Sequence, residues 1–305
     1  MLTYTRKGNW MEIITPRKWE GKTLEDIFRT EWQVPKKLTH HFRMEQSLLV
    51  NGNRANWNLP LTIGDKILIK LFAEEEQNTI PAFVYDVQVL FEDDHVIVFN
   101  KPPYMNTHPN DDSDTNSLVN AAQFYAQSKG EVMMVRQIHR LDRDTSGAIL
   151  FAKHGLAGAI LDRMLEKREI KRTYLALVQG HLKKKKGTII EPIGRDRHHP
   201  TRRRVSVTGQ EAKTHYQFLK EDHGDCYVKC WLDTGRTHQI RVHFSHIGHP
   251  LVGDRLYGGK PLFKRQALHA AKLEFPHPIT GEEIICYAPF IDQPPIFRGI
   301  DVYRI

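Results

Sequence analysis

No stretch of the chain offers the roughly 18 consecutive apolar residues that a membrane-spanning helix needs. Its opening, MLTYTRKGNWMEIITPRKWEG, has no apolar segment of the secretory kind. No membrane association is expected. Cysteine is scarce, with three among 305 residues, so a disulfide framework is excluded. Cys226 and Cys230 fall at even spacing in CYVKCWL, which reads as a strand carrying buried thiols rather than metal ligands. A reducing cytoplasm is the expected compartment. Neither GxGxxG nor GxxxxGK[ST] occurs, which removes support for a nucleotide cofactor, and the lack of repeats argues against a solenoid.

What is present is a sizeable apolar fraction and an excess of positive charge. Hydrophobic residues make up 40% of the chain, enough for one large or two unequal domains. The formal net charge is +8, and nine Lys or Arg crowd between Lys183 and Arg204, opposed only by Glu191 and Asp196. Such a cluster is either a solvated loop or a seat for a polyphosphate backbone. The balance favours an anionic polymer as partner.

Acidic and turn residues from Ala73 to Pro81 divide the chain. Before them, Thr23 is placed to cap a short helix through Leu24, Ile27 and Phe28, and Lys36 to Phe42 starts a second. Leu48 to Val50 runs into Asn51-Gly52, a hairpin turn, and KILIKL alternates like a strand. Lys36, Lys37, His40, His41 and Arg43 give this unit an RNA-facing character, or merely a charged surface. The expected division is a small α/β RNA-binding domain over 1–75, a linker over 76–85 and a second domain over 86–305. In that second domain strands are expected at Val96 to Phe99, Ala148 to Ala152, Thr173 to Val178, Lys213 to Leu219, Tyr227 to Leu232 and Ile240 to Phe244. A further strand is expected through Val132 to Val135 and Ile138. Helices are confined to a segment through Leu118, Ala122 and Tyr125, and another through Leu156, Ile160 and Met164. Strands in succession with few helices indicate an α+β class with a mostly antiparallel mixed sheet.

The stretch HRLDRDTSG, residues 139 to 147, has a bland reading as a charged turn between strands. Asp144-Thr145-Ser146-Gly147 has one residue too many for an aspartic-protease motif. In Asp142-Arg143-Asp144 the arginine brings charge that competes with a metal. Three other segments exceed strand-and-turn grammar: NKPPYMNTHP from Asn100, KRTYLALV from Lys171 and TGRTHQIRVHFSHIGHPLVGDRLYGG from Thr234, followed by Leu268-His269-Ala270. In this order the four segments resemble those of the large-subunit ribosomal RNA pseudouridine synthase family of the RluA type, over roughly residues 86 to 290. The N-terminal unit is similar to the small RNA-binding module, named after a ribosomal protein, that often precedes that catalytic domain. One departure is Pro103-Tyr104, where the family usually has a small residue or glycine before Met105.

The resemblance implies isomerisation of uridine in RNA. The bond from uracil N1 to ribose breaks, the base turns, and carbon replaces nitrogen at the sugar. Asp142 then corresponds to the family's aspartate, Arg241 to its ion-pair partner with Arg236 as a rival, and Tyr174 to the tyrosine that stacks on the base. Arg140 corresponds to the arginine that enters the RNA stack, while Leu268 lines the pocket and Lys101 is assigned to substrate binding. An aspartate among arginines stays ionised at neutral pH, as a developing cationic sugar requires. The target must leave its stack to be reached. The chemistry calls for no cofactor and no metal, although His238, His243 and His246 have a spacing that metals use. The expected partner is ribosomal RNA, with transfer RNA as the other candidate, and the chain is expected to act as a monomer. Two rival functions share the motifs: a non-catalytic RNA-binding or ribosome-assembly protein, and a hydrolase that releases free base.

Overall fold

A computed structural model of the chain describes residues 2–72, 80–111, 113–131 and 134–305. Residues 76–79 of the expected linker lie outside the described residues. The chain starts with a hairpin of β1 (Thr5–Lys7) and β2 (Trp10–Ile14). All of β1 is polar and exposed, so it carries no alternation a sequence reading could use. Thr23 caps α1 (Leu24–Asp26) as expected: its hydroxyl accepts from Asp26 N–H, and the Asp26 carboxylate accepts from Thr23 N–H. Then come α2 (Lys36–Met44), β3 (Leu48–Val50), β4 (Asn53–Arg54) and β5 (Lys66–Lys70). The strands form one sheet in the order β1-β2-β5-β3-β4. Phe28 seals it, with Trp57, Trp32 and Phe42 meeting its ring edge-on at 4.9, 5.2 and 5.5 Å.

The second unit comprises β6 (Val89–Glu92), β7 (Val96–Lys101), α3 (Leu118–Ser128), β8 (Arg136–Gln137), β9 (Ser146–Ala152), α4 (Gly155–Glu166) and β10 (Lys171–Val178). There follow β11 (Lys186–Ile190), β12 (Ile193–Arg195), β13 (Arg203–Val205), β14 (Lys213–Asp222), β15 (Asp225–Leu232), α5 (Gln239–His246), β16 (Leu268–Pro276) and β17 (Glu283–Tyr287). The large sheet runs β11-β14-β15-β10-β16-β9-β7-β6, with β17 beside β16 and β8 beside β9. Every pairing is antiparallel except β9 with β16. The class is α+β, and β12 with β13 makes a separate ribbon.

Two expectations need correction. Ile240 to Phe244 is helix, not strand. Gln239 through Phe244 are all buried, so no polar face marks the helical period, and Ile240, Val242 and Phe244 mimic alternation. Ile240 and Phe244, four residues apart, enter the core beside the large sheet, while Val242 packs with Tyr257 and Ala212. The strand expected before the HRLD stretch reduces to Arg136–Gln137; Val132 and Met133 lie outside the described residues.

Alternation along the central strands decides which face carries the site. Ile97, Phe99, Ile149, Phe151, Tyr174 and Ala176 face one core, together with α3 and α5. Val96, Val98, Ala148 and Leu150 face the opposite side, where α4 packs and the apolar cluster continues into the N-terminal unit. Polar contacts fasten the units together: Arg6 pairs with Asp94 at 2.8 Å, and Lys167 Nζ donates to Gln33 Oε1 at 2.7 Å.

The parallel junction of β9 and β16 brings two backbones unusually close. Gly147 has φ 115°, and a Cβ placed there would lie 2.2 Å from the Ala270 carbonyl oxygen. Tyr104 shows the opposite mismatch, a half-exposed bulky residue held at φ 65°, a region that costs a non-glycine residue about 1–2 kcal/mol. Gly147→Ala is therefore expected to lower unfolding free energy by about 3 kcal/mol. Tyr104→Gly should raise it by up to about 1 kcal/mol, strain relief exceeding the entropy that glycine adds to the unfolded chain. Urea denaturation of both variants checks the pair, and shifts of the same sign would contradict the backbone argument.

Candidate active site

The loop from His139 to Gly147 is anchored from four directions. Thr107 Oγ1 donates to the Leu141 carbonyl at 2.9 Å and accepts from Leu141 N–H at 3.1 Å. Arg265 donates from Nη1 to the Asp144 carbonyl at 3.0 Å and from Nη2 to Ser146 Oγ at 2.9 Å. Gln266 Nε2 reaches Thr145 Oγ1 at 3.2 Å. Lys101, expected at the substrate, is wholly buried instead. Its Nζ donates to the carbonyls of Pro102, Met105 and Arg143 at 2.8, 2.7 and 3.0 Å. All its ammonium protons are spent on backbone, so Lys101 ties NKPPYM to the HRLDRD loop rather than facing RNA.

Asp142 projects from this frame with 18% of its side chain exposed. Arg241 Nη1 donates to Asp142 Oδ2 at 2.9 Å. The same guanidinium grips Asp254 with Nε at 2.7 Å and Nη2 at 3.0 Å, a fork-on-carboxylate contact whose acceptor is 1% exposed. The rival Arg236 is exposed and bonds the Glu211 carbonyl. Asp254 escaped the sequence reading because GDRLYG looks like a turn, and nothing local announces a partner thirteen residues upstream. The cluster holds two carboxylates and one guanidinium, leaving one net negative charge at Asp142.

Burial by itself would raise the Asp142 carboxyl pKa. The positive charge that His238 takes on in acid, where Asp142 titrates, together with the Arg241 charge and hydrogen bond and with Arg140, outweighs it and holds the group below the ordinary 3.8. Arg241 is in turn shifted upward: burial opposes its charge, but the bonds and charges of Asp254 and Asp142 prevail. Tyr174 is buried, which raises its phenol pKa and keeps the hydroxyl protonated at neutral pH.

Asp142 lies where two cavities meet. One, about 610 Å³, is lined by Tyr174, Leu268, Ile240, Leu232, Arg172 and Arg236. The other, about 640 Å³, is lined by Arg140, Arg143, Arg203, Arg255 and Lys264. Asp142, Arg140, His238 and Arg241 belong to both. The expected site residues therefore converge, with Lys101 behind the wall. The basic run divides: Arg203 lines the second cavity, while Lys183 to Lys186 lie exposed on and before the edge strand β11 and line neither cavity. His243 spends both ring nitrogens, on Thr214 Oγ1 at 2.8 Å and the Glu191 carbonyl at 2.9 Å. Among the described residues no three metal-ligating side chains cluster, and no helix is long and apolar enough to cross a membrane.

Arg241→Met is expected to cost about 3–5 kcal/mol at pH 7, because it strands two buried carboxylates. Asp142 is depressed in the folded protein, so its pairing stabilises above the unfolded pKa near 3.8 and is lost as pH falls through the folded value. The penalty should therefore shrink below about pH 4, where an unpaired carboxylate takes up a proton. Urea titrations at pH 7 and about pH 3 test this, and a penalty that grows with acid would contradict the pairing.

Comparison with known proteins agrees with this geometry. The family model for RNA pseudouridylate synthase matches residues 95–246, and that for the RluD ribosomal pseudouridine synthase N-terminal domain matches residues 11–67. An uncharacterized RNA pseudouridine synthase of Bacillus subtilis (strain 168) is 46% identical over 288 residues, covering 93% of this chain and 95% of the relative. The ribosomal large subunit pseudouridine synthase D of Nitrosomonas europaea is 39% identical, covering 75% of this chain and 70% of that one. Among solved structures, human RNA pseudouridylate synthase domain containing 1 aligns with a TM-score of 0.58 at 26% identity, over 68% of this chain and 85% of its own. A chain this similar to these enzymes belongs to the RNA pseudouridine synthase family: it is an isomerase that acts on RNA.

Proposed function

We propose that this enzyme isomerises a specific uridine in structured ribosomal RNA and that Asp142 is the residue on which the reaction depends. The observation that carries the reading is the ionised Asp142 carboxylate at the meeting of the two cavities. The cavity with Tyr174, Leu268 and Ile240 suits a flipped uracil, whose face the tyrosine ring covers. The cavity with Arg140, Arg143, Arg203, Arg255 and Lys264 suits the neighbouring phosphates. Between them the anomeric carbon comes to Asp142, whose charge stabilises the electron-poor sugar as the base departs. Arg241 fixes the carboxylate's direction and Asp254 fixes Arg241. Arg140, exposed on the rim of both cavities, fills the gap left in the RNA stack.

Ribosomal RNA is favoured over transfer RNA because the relative above with a named target is a ribosomal large subunit enzyme. The domain division that accompanies this reading is 1–75 for RNA binding, 76–85 as linker and 86–305 for catalysis, in a monomer working in the cytoplasm. A binding-only protein has no use for an ionised carboxylate beside RNA phosphates, which argues against that alternative.

Asp142→Asn is expected to keep fold and RNA affinity while lowering the single-turnover rate at least about 10³-fold. Tyr174→Phe should keep affinity and lose part of the rate, whereas Tyr174→Ala should lose both, with stacking worth about 1–3 kcal/mol. Pseudouridine mapping in cells with and without the chain identifies the target. Near-parental turnover by a folded Asp142→Asn protein would remove the central assignment, and a lost site in transfer RNA alone would remove the ribosomal one.

A further inference from the structure

His238 precedes α5 with φ 59°, a left-handed conformation that costs a non-glycine residue free energy. Its ring lines both cavities, beside Asp142 and Arg241. Nε2 lies 3.9 Å from Asp142 Oδ2, beyond hydrogen-bond range, and Nδ1 lies 2.9 Å from Tyr257 Oη. That phenol oxygen already accepts the Arg203 N–H at 2.9 Å. Among the described residues, the hydrogen bonds give the phenol hydrogen one acceptor, His238 Nδ1. The phenol therefore donates to Nδ1, and the ring's own proton sits on Nε2, towards Asp142. The Tyr257 ring is itself held under Arg241, 5.0 Å from its guanidinium carbon. Burial lowers the His238 pKa below the usual 6.5; with smaller contributions from Arg241 and Arg203 it outweighs the upward pull of Asp142 and Asp254. At neutral pH the ring is an uncharged donor whose Nε2–H has no protein acceptor within bonding distance among the described residues.

We propose that His238 is a further catalytic residue, whose Nε2–H donates to a carbonyl oxygen of the uracil as the N1–C1′ bond breaks. The inference rests on the reading of Asp142 as the centre of the chemistry. When that bond breaks its electron pair leaves with the base, giving a uracil anion delocalised over N1 and the two carbonyl oxygens. C1′ is left electron-poor against Asp142. A fixed N–H at the base stabilises the new anion and shields it from the nearby carboxylate. C5 then bonds to C1′, the ring releases the C5 proton to solvent and N1 takes one up. The imidazole proton stays on Nε2 throughout. A neutral ring suits this role, because an imidazolium would pair with Asp142 and quench the charge the sugar requires.

The test uses full-length protein and unmodified large-subunit ribosomal RNA transcribed in vitro, with affinity and single-turnover rate measured separately. His238→Leu should leave affinity within about twofold and lower the rate about 10²-fold, the usual cost of one preorganised donor. His238→Gln, whose amide nitrogen can occupy the Nε2 position, should recover most of that loss. Tyr257→Phe keeps the ring beneath Arg241 but frees the tautomer, so it should slow turnover less than His238→Leu and serves if that variant does not fold. Parental rates in His238→Leu and Tyr257→Phe would overturn the proposal. So would equal losses in the Leu and Gln variants, or losses confined to affinity, because both mark a packing role. Asp142→Asn run alongside tells the failures apart: full rate in that variant refutes the reading of Asp142, whatever His238 does.

Discussion

One guanidinium organises the polar cluster at the cavity junction. Arg241 stands on a buried helix, binds Asp254 through two nitrogens and offers the third to Asp142. A buried guanidinium with a single carboxylate would be neutral overall; with two, the cluster retains a negative charge and directs it at the cavity junction. The fork on Asp254 matters for a second reason. It engages one edge of the planar guanidinium and fixes its plane, so the Nη1 donors point in fixed directions. Asp142 is thereby aimed as well as ionised.

The scaffold around that contact is correspondingly stiff. The Asp142 loop hangs between β8 and β9, and β9 meets β16 in the only parallel pairing among the described strands, where Gly147 lets two backbones touch. Lys101 and Arg265, both buried, hold the loop by the carbonyls of Arg143 and Asp144. A buried ammonium or guanidinium is costly unless every donor is met. Here the carbonyls of an irregular loop need donors; Lys101 and Arg265 supply them, and Asp292 accepts from the rest of the Arg265 guanidinium. Each group satisfies what the other would leave unpaired, and the loop keeps one shape.

The sequence disclosed much of this, and the remainder has identifiable physical causes. Strands β7, β9, β10, β14 and β15 were legible because half-buried and buried strands advertise themselves by β-branched and aromatic runs. Asp142, Tyr174 and Arg241 were legible through motifs, and the cavities unite them. Helix α5 was not legible, since burial on all sides erased its period. Lys101 was misplaced because a lysine in a motif looks like a phosphate ligand, whereas its partners are carbonyls brought together only by folding. Asp254 and the Tyr257–His238 pair were invisible for the same reason: their meaning lies in contacts across loops, and neither composition nor spacing encodes those.

The central claim is that Asp142 is held ionised by Arg241 at the junction of the two cavities that the proposed function assigns to base and phosphate. Carbon-13 NMR titration of the Asp142 carboxyl, in the free full-length protein, tests it most directly. The account predicts a midpoint below the ordinary 3.8, and an upward shift when Arg241 is replaced by methionine. A parental midpoint above 3.8, or one that ignores the loss of Arg241, would contradict it.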